Sequence, residues 1–146
     1  MPMVVYADTS FLFSLYAQDA NTARAAQFVE SLDAALVLTP LQRHELRNAF
    51  RLAAFRRDIT GGECQKLLDT FLGDIQAGVL VETPVAWAEV FAEAEALSAA
   101  HTEKLGNRGF DVLHVAAAAA LGANVFVTFD ARQKALAVKS GMKVRP

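Results

Sequence analysis

The chain alternates short, continuous apolar runs with longer segments in which apolar residues recur at helical spacing. The apolar runs lie at 3–7, 35–39, 79–82, 124–128 and 142–145. They are rich in β-branched residues and uninterrupted, as is typical of strands buried in a parallel sheet. The helical segments lie at about 9–18, 21–33, 41–57, 61–77, 84–104, 109–121 and 131–140. This alternation predicts an α/β fold in which right-handed crossover helices cover both faces of a parallel sheet.

Length and composition fit one globular domain. A chain of 146 residues can bury one core but is too short for two ordinary domains, so we predict a single domain over 1–146. Hydrophobic residues make up 53% and charged residues 21%, which excludes a disordered or collagen-like chain. The single cysteine, Cys64, excludes an intrachain disulfide and a cysteine-rich zinc site. We therefore expect a cytoplasmic protein.

Neither a secretory signal nor a membrane segment is expected. No Lys or Arg precedes the N-terminal apolar stretch, and the polar residues Asp8, Thr9 and Ser10 interrupt it, which is unlike a signal peptide. The longest apolar tract, 112–129, contains a histidine and a glycine. An alanine-rich helix followed by a strand explains this tract better than a membrane span does.

Two aspartates directly follow predicted strands. Asp8 comes after the first strand and Asp130 after the fourth. In open α/β sheets, binding sites form beyond the carboxyl ends of the strands, which favours a functional interpretation. The structural alternative is that each aspartate caps the helix that follows it, a position where Asp is preferred. For either aspartate alone, both interpretations are open.

Two further acids are predicted to face inward on helices. At about 100° per residue, Glu45 falls between Leu52 and Ala49, in the arc that also holds Leu41 and Ala53. No cationic residue lies three or four positions from Glu45, so a distant cation or a metal ion is needed to compensate it. Asp111 opens a helix that is apolar on all sides and is therefore predicted to be central. A structural role at the helix N-terminus is the alternative for Asp111.

Taken together, the four acids are typical of a site for a hard cation. Oxygen ligands without a cysteine pair or a histidine cluster favour Mg²⁺ or Mn²⁺ over zinc. Magnesium keeps several waters and is commonly completed by substrate phosphate, which indicates phosphodiester or phosphoryl chemistry. We predict that His114, one turn after Asp111, is a hydrogen-bonded core residue and not a catalytic one.

The charge balance is compatible with RNA only if a cation neutralises the acids. The net charge of −2, from 14 basic and 16 acidic residues, by itself argues weakly against a nucleic-acid partner. With four acids bound to metal, twelve remain against the fourteen bases. Arg43, Arg47 and Arg51 form a basic stripe that could bind phosphates or an acidic partner. Because they lie opposite Glu45 on the helix, we favour a solvent-exposed face and leave them out of the site.

The acids occur within short motifs whose order along the chain is informative. Residues 6–10 (Tyr-Ala-Asp-Thr-Ser) come first, and Glu45 lies in the helix after the second strand. Residues 110–116 (Phe-Asp-Val-Leu-His-Val-Ala) follow, and then 128–130 (Thr-Phe-Asp) before Gln133 and Leu136. In this order, and over essentially the whole chain, the sequence resembles the PIN domain, and in particular the VapC type of bacterial and archaeal toxin.

This resemblance implies a three-layer α/β/α sandwich with a central parallel sheet and a Mg²⁺- or Mn²⁺-dependent endoribonuclease activity. For a toxin it also implies a cognate antitoxin that covers the active site and, by family analogy, a homodimer. The family's catalytic, metal-binding acids correspond to Asp8, Glu45, Asp111 and Asp130. Supporting hydroxyl positions correspond to Thr9 or Ser10 and to Thr128.

A different class of function is also open. A PIN-fold module could bind RNA or protein partners without cutting, and a nuclease acting on DNA flaps is a third possibility. The intact acidic quartet favours an enzyme over a binding module. The compact chain, without long insertions, makes the DNA nuclease the weaker alternative.

Overall fold

The computed structural model describes residues 3–146 and contains the strands and helices that the sequence predicts. The strands are β1 (Val5–Ala7), β2 (Leu36–Leu38), β3 (Leu80–Glu82), β4 (Val125–Val127) and β5 (Lys143–Arg145). The helices are α1 (Thr9–Tyr16), α2 (Thr22–Ser31), α3 (Pro40–Phe55), α4 (Gly61–Gln76), α5 (Trp87–Leu97), α6 (Glu103–Leu105), α7 (Gly109–Ala120) and α8 (Ala131–Lys139). A π-helical turn, Ser98–Thr102, joins α5 to α6.

The strands form a five-stranded sheet in the order β3-β2-β1-β4-β5. Val5 lies opposite Val125 in the β1–β4 pair, and Val125 lies opposite Lys143 in the β4–β5 pair. Leu36 lies opposite Leu80 in the β2–β3 pair. All three pairs are parallel, which confirms the predicted α/β fold with a central parallel sheet.

The contacts within the chain define two compact units. The first comprises the residues up to Asp8 together with Pro84–Pro146, and the second comprises Thr9–Thr83. Each unit therefore contains part of the sheet and several helices. The prediction of a single domain over 1–146 stays a prediction.

In the first unit, α7 lies in the core. Its residues Val115–Ala118 are fully buried, and their mostly small side chains allow α5 to pack against α7. The ring of Tyr6 on β1 stacks on Phe126 of β4 at a centroid distance of 5.7 Å. The Tyr6 hydroxyl and His114 Nδ1 are hydrogen-bonded at 2.8 Å within this core. The prediction that His114 is a hydrogen-bonded core residue is therefore confirmed.

An aromatic cluster forms the core of the second unit. Phe50 on α3 contacts the rings of Phe13 and Tyr16 on α1 at centroid distances of 5.8 and 6.2 Å. Tyr16 also meets Phe71 of α4 edge to face at 5.8 Å. The Tyr16 hydroxyl donates a hydrogen bond of 2.6 Å to Asp74 Oδ2. Tyr16 thus ties α1 to both α3 and α4.

A capping box sets the start of α3 and the face that this helix buries. The Thr39 hydroxyl accepts a hydrogen bond from the backbone N–H of Gln42, and Gln42 Oε1 accepts one of 2.7 Å from the Thr39 N–H. This reciprocal arrangement satisfies donors that a helix N-terminus leaves unpaired. It also buries Gln42 completely, so the buried face of α3 runs through Gln42, Leu46 and Phe50.

Across residues 3–146, the structure contains no helix with both the length and the apolar character needed to cross a membrane.

The Tyr16–Asp74 contact predicts a loss of stability at alkaline pH. The pKa of the Tyr16 phenol is raised well above its usual value, mainly because the side chain is buried. The hydrogen bond to Asp74 and the negative charge of Asp74 raise it further. The folded chain therefore keeps a proton that the unfolded chain releases above about pH 10. Because the unfolded state then binds fewer protons than the folded state, the free energy of unfolding decreases as pH rises through this range.

Urea unfolding of wild type and Tyr16→Phe between pH 8 and 11 tests this expectation. The variant should lose about 1 kcal/mol at pH 8, because Asp74 loses its donor. Above pH 10 the wild type should lose stability more steeply than Tyr16→Phe. Parallel curves for the two proteins would contradict the proposed linkage.

Candidate functional site

Asp8 is the most deeply buried acid of the predicted quartet. It directly follows β1 and is 0% exposed. The Thr128 hydroxyl, just beyond β4, donates a hydrogen bond of 2.6 Å to Asp8 Oδ2. The same hydroxyl oxygen accepts a hydrogen bond of 2.9 Å from the backbone N–H of Asp130. The parallel pairing of β1 and β4 therefore brings Asp8, Thr128 and Asp130 together at the carboxyl ends of these strands.

Asp130 is the N-cap of α8. Its Oδ1 accepts hydrogen bonds from the backbone N–H groups of Arg132 at 2.8 Å and Gln133 at 3.1 Å. The capping role that the sequence offered as one interpretation is therefore confirmed for Asp130. Its carboxylate is half-buried and fixed in position by the helix terminus, which also favours negative charge there.

Asp111 is buried in the first turn of α7, and both of its carboxylate oxygens accept hydrogen bonds. Oδ2 accepts from the backbone N–H of Arg108 at 3.1 Å and from Arg108 Nε at 3.3 Å. Oδ1 accepts from Gln133 Nε2 at 3.1 Å. The Arg108 side chain is 73% exposed, so its ion pair with Asp111 is a weak one.

Gln133 is a residue near these acids to which the sequence analysis assigned no functional role. Its backbone N–H contacts Asp130, and its side chain contacts Asp111. A buried glutamine three residues after a helix N-cap was the available signal. An uncharged amide in the first turn of a helix gives no reason by itself to assign a functional role.

Glu45 lies at the edge of the buried face of α3 and is half-buried. The Thr9 hydroxyl donates a hydrogen bond of 2.9 Å to Glu45 Oε1. The prediction that Glu45 shares a core-facing arc with Leu52 was wrong in detail, because Leu52 is 38% exposed. The fully buried residues of α3 are Gln42, Leu46 and Phe50, so Glu45 lies beside this face and not at its centre.

The alternatives Thr9 and Ser10 both stay open, and the Thr9 hydroxyl contacts the carboxylate of Glu45. Thr9 is half-buried, whereas Ser10 is exposed. The assignment of all four acids to one site stays a prediction at this point.

The basic stripe on α3 does not simply face solvent. Arg43 forms an ion pair with Glu82 at the end of β3. Arg43, Arg47 and Arg51 also line a cavity of about 210 Å³ with residues of α4, among them Asp69. The arginines thus lie in a groove within the second unit.

The acidic side chains of the first unit have the ligand chemistry that a hard divalent cation prefers. Asp8, Asp111 and Asp130 offer only oxygen ligands, which suit Mg²⁺ or Mn²⁺. The buried Oε1 of Gln133 and Oδ1 of Asn107 have no hydrogen-bond partner among the residues that the structure describes. Hydration water around a cation would satisfy such acceptors. Within residues 3–146, however, no three His, Cys, Asp or Glu side chains are gathered closely enough to hold a metal ion as they stand.

Comparison with known proteins identifies a matching family. Residues 5–139 match the family model described as the PIN domain. A search of curated proteins gives no match.

Several solved structures are similar over nearly their whole length. FitAcB from Neisseria gonorrhoeae has 17% identity and a TM-score of 0.68, covering 98% of this chain and 97% of that chain. VapBC2 from Rickettsia felis, bound to a DNA fragment from its promoter, has 18% identity and a TM-score of 0.67, covering 97% of each chain. VapC20 from Mycobacterium tuberculosis, a sarcin-ricin loop cleaving toxin, has 19% identity and a TM-score of 0.66, covering 90% and 93%. At these identities the likeness shows the fold.

The hydrogen bond between Thr128 and Asp8 predicts a measurable cost when the hydroxyl is removed. Thr128→Val keeps the shape of the side chain but removes its hydroxyl. The buried Asp8 carboxylate then loses a hydrogen-bond donor, and the backbone N–H of Asp130 loses its acceptor. We expect urea unfolding to show a loss of about 1–3 kcal/mol. Thr128→Ser, which keeps the hydroxyl, should lose clearly less.

Thr83→Val is the matched control, because the Thr83 hydroxyl donates a hydrogen bond in an exposed setting to the nearby carbonyl of Val81. It should change stability by less than about 0.5 kcal/mol. Equal losses in Thr128→Val and Thr83→Val would contradict a special role for the buried hydroxyl.

Proposed function

This chain belongs to the PIN-domain family, and we propose that it is a Mg²⁺- or Mn²⁺-dependent endoribonuclease, the toxin of a type II toxin-antitoxin system. The observation that carries the proposal is the hydrogen-bonded connection between Asp8 and Asp130 at the carboxyl ends of β1 and β4. There, the Thr128 side chain links the fully buried Asp8 to the backbone of Asp130. A nuclease of this family needs oxygen ligands at that edge.

We assign the metal-binding role to Asp8, Glu45, Asp111 and Asp130. Glu45 is included because its hydrogen-bond partner Thr9 directly follows Asp8 in the chain. When bound, the divalent cation supplies an activated water and neutralises charge on the scissile phosphate. The chain's own contribution is to hold the carboxylates in place: Thr128 orients Asp8, Thr9 orients Glu45, and the start of α8 orients Asp130.

RNA is the substrate class that we propose, and the similar toxin VapC20, which cleaves the sarcin-ricin loop, supports this assignment. We propose an antitoxin protein as a partner, because FitAcB and VapBC2 are complexes of toxin and antitoxin. We also propose a homodimer, by analogy with the family, and a cytoplasmic location, where an RNA substrate and an antitoxin would be available.

A second candidate function is a PIN-fold module that binds RNA or a protein without cleavage. One observation favours it: both oxygens of Asp111 already accept hydrogen bonds from Arg108 and Gln133. A chain that keeps these contacts permanently would bind metal poorly. Cleavage and metal-binding experiments separate the two functions.

Cleavage of total cellular RNA by the purified protein tests the proposed activity. We expect cleavage with Mg²⁺ or Mn²⁺ and none in EDTA. Asp8→Asn should fold normally and reduce the initial rate by a factor on the order of 10² or more, as when an electrostatic contact to a transition state is removed. Asp33→Asn, a change at an exposed aspartate, should cleave like wild type. Undiminished cleavage by Asp8→Asn, or cleavage in EDTA, would reject the mechanism.

Thermal unfolding with and without Mn²⁺ tests Glu45 without any RNA. Clustered carboxylates repel one another, so Glu45→Gln should match or exceed the wild-type melting temperature in EDTA. At one hundred times its dissociation constant, Mn²⁺ should stabilise wild type by about 2.7 kcal/mol. The Glu45→Gln variant should gain less than this.

Glu30→Gln, at an exposed position on α2, should respond to Mn²⁺ like wild type. If Glu45 instead forms a buried ion pair, Glu45→Gln should lose about 3–5 kcal/mol in EDTA and keep the full response to Mn²⁺. That result would remove Glu45 from the site.

A further inference from the structure

Gln133 contacts two of the four acids through different groups. Its backbone N–H donates to Asp130 Oδ1 at 3.1 Å, and its side-chain Nε2 donates to Asp111 Oδ1 at 3.1 Å. The residue is only 4% exposed. Gln133 therefore links the start of α8 to the first turn of α7, where these two carboxylates lie.

The orientation of the Gln133 amide follows from its neighbours. A carboxylate accepts hydrogen bonds, so the NH₂ group and not the carbonyl oxygen must face Asp111. The carbonyl oxygen, Oε1, is then buried without a hydrogen-bond partner in the described part of the chain. Leaving a buried acceptor unpaired is unfavourable, and native proteins rarely do so without a reason.

The contacts of Asp111 differ in how firmly they hold its two oxygens. On Oδ1, the donor Gln133 is buried and its helix is fixed by the Asp130 cap. On Oδ2, the charged partner Arg108 is largely exposed, and such pairs contribute little. The Gln133 amide is therefore the buried side-chain contact that holds Oδ1. Oδ2 keeps the backbone N–H of Arg108 at 3.1 Å, while the exposed guanidinium contact can exchange.

We propose that Gln133 is a positioning residue of the metal site: its amide fixes the Asp111 carboxylate, and its unpaired Oε1 accepts a hydrogen bond from the hydration water of the cation. This inference rests on the function proposed above. Partners that hold a metal ligand in place typically change metal affinity by 10- to 100-fold when they are removed. Magnesium and manganese sites with few protein ligands retain water to which such an acceptor can bind.

The test measures the Mn²⁺ dissociation constant of the RNA-free protein by electron paramagnetic resonance of free Mn²⁺. Gln133→Met keeps the length of the side chain and removes both polar groups. We expect it to weaken Mn²⁺ binding by about 10- to 100-fold. Saturating Mn²⁺ should restore most of its RNA cleavage, because the ligands themselves are intact. Gln133→Ala repeats the measurement with a different side-chain shape.

Two matched variants separate positioning from general stability. Leu136→Ala removes a buried side chain from the same helix and should lower the melting temperature without changing the Mn²⁺ dissociation constant. Gln65→Met removes an amide-to-carboxylate hydrogen bond of 2.9 Å to Asp69 at an exposed position on α4. It should change neither quantity.

Each outcome identifies which statement fails. If Asp8→Asn binds Mn²⁺ as tightly as wild type, or if wild type does not bind it, the proposed metal site is wrong. If Asp8→Asn loses Mn²⁺ while Gln133→Met binds it like wild type, the proposed function stands and the role of Gln133 is overturned. Equal weakening by Leu136→Ala and Gln133→Met also overturns that role. So does unfolding of both Gln133 variants while Leu136→Ala stays folded.

Discussion

The Asp8 side chain is completely buried at the end of β1. The arrangement of the neighbouring polar groups depends on this constraint. A carboxylate removed from water is costly unless hydrogen bonds compensate it. The Thr128 hydroxyl provides a short one, and its own oxygen accepts from the Asp130 N–H. Because the Asp130 N–H donates to the Thr128 oxygen, the Thr128 hydroxyl acts as an acceptor toward Asp130, and its proton is directed at Asp8. Hydrogen bonds in such a chain polarise and strengthen one another.

The helix termini extend this arrangement to the other aspartates. Asp130 caps α8, and Asp111 lies in the first turn of α7. Both positions place a carboxylate where unpaired N–H groups and the helix dipole favour negative charge. Gln133 then joins the two helices by donating to Asp111 while its backbone donates to Asp130. Backbone N–H groups therefore contact both of these carboxylates, that of Asp130 from the first turn of α8 and that of Asp111 from Arg108.

The sequence predicted those features that depend on local pattern. The strands and helices follow from apolar runs and helical periodicity, and Asp8 and Asp130 stand out because they follow strands. Glu45 was placed too far inward, because the capping box between Thr39 and Gln42 buries an amide that helical periodicity assigns to the polar side. Gln133 was missed because its role depends on Asp111, 22 residues earlier in the chain. No local pattern indicates such a pairing.

The unequal contacts of Asp111 suggest how the acids could be kept stable before a cation binds. Arg108 provides a positive charge to Oδ2 from an exposed side chain, and screening by solvent makes that contact weak. A divalent ion with direct oxygen ligands gains far more from the same carboxylate, because its charge is larger and its distance to the oxygen is shorter. If the proposed cation binds, the weak ion pair on Oδ2 would be exchanged for it, while the Gln133 amide on Oδ1 and the Arg108 N–H would keep the carboxylate in its orientation.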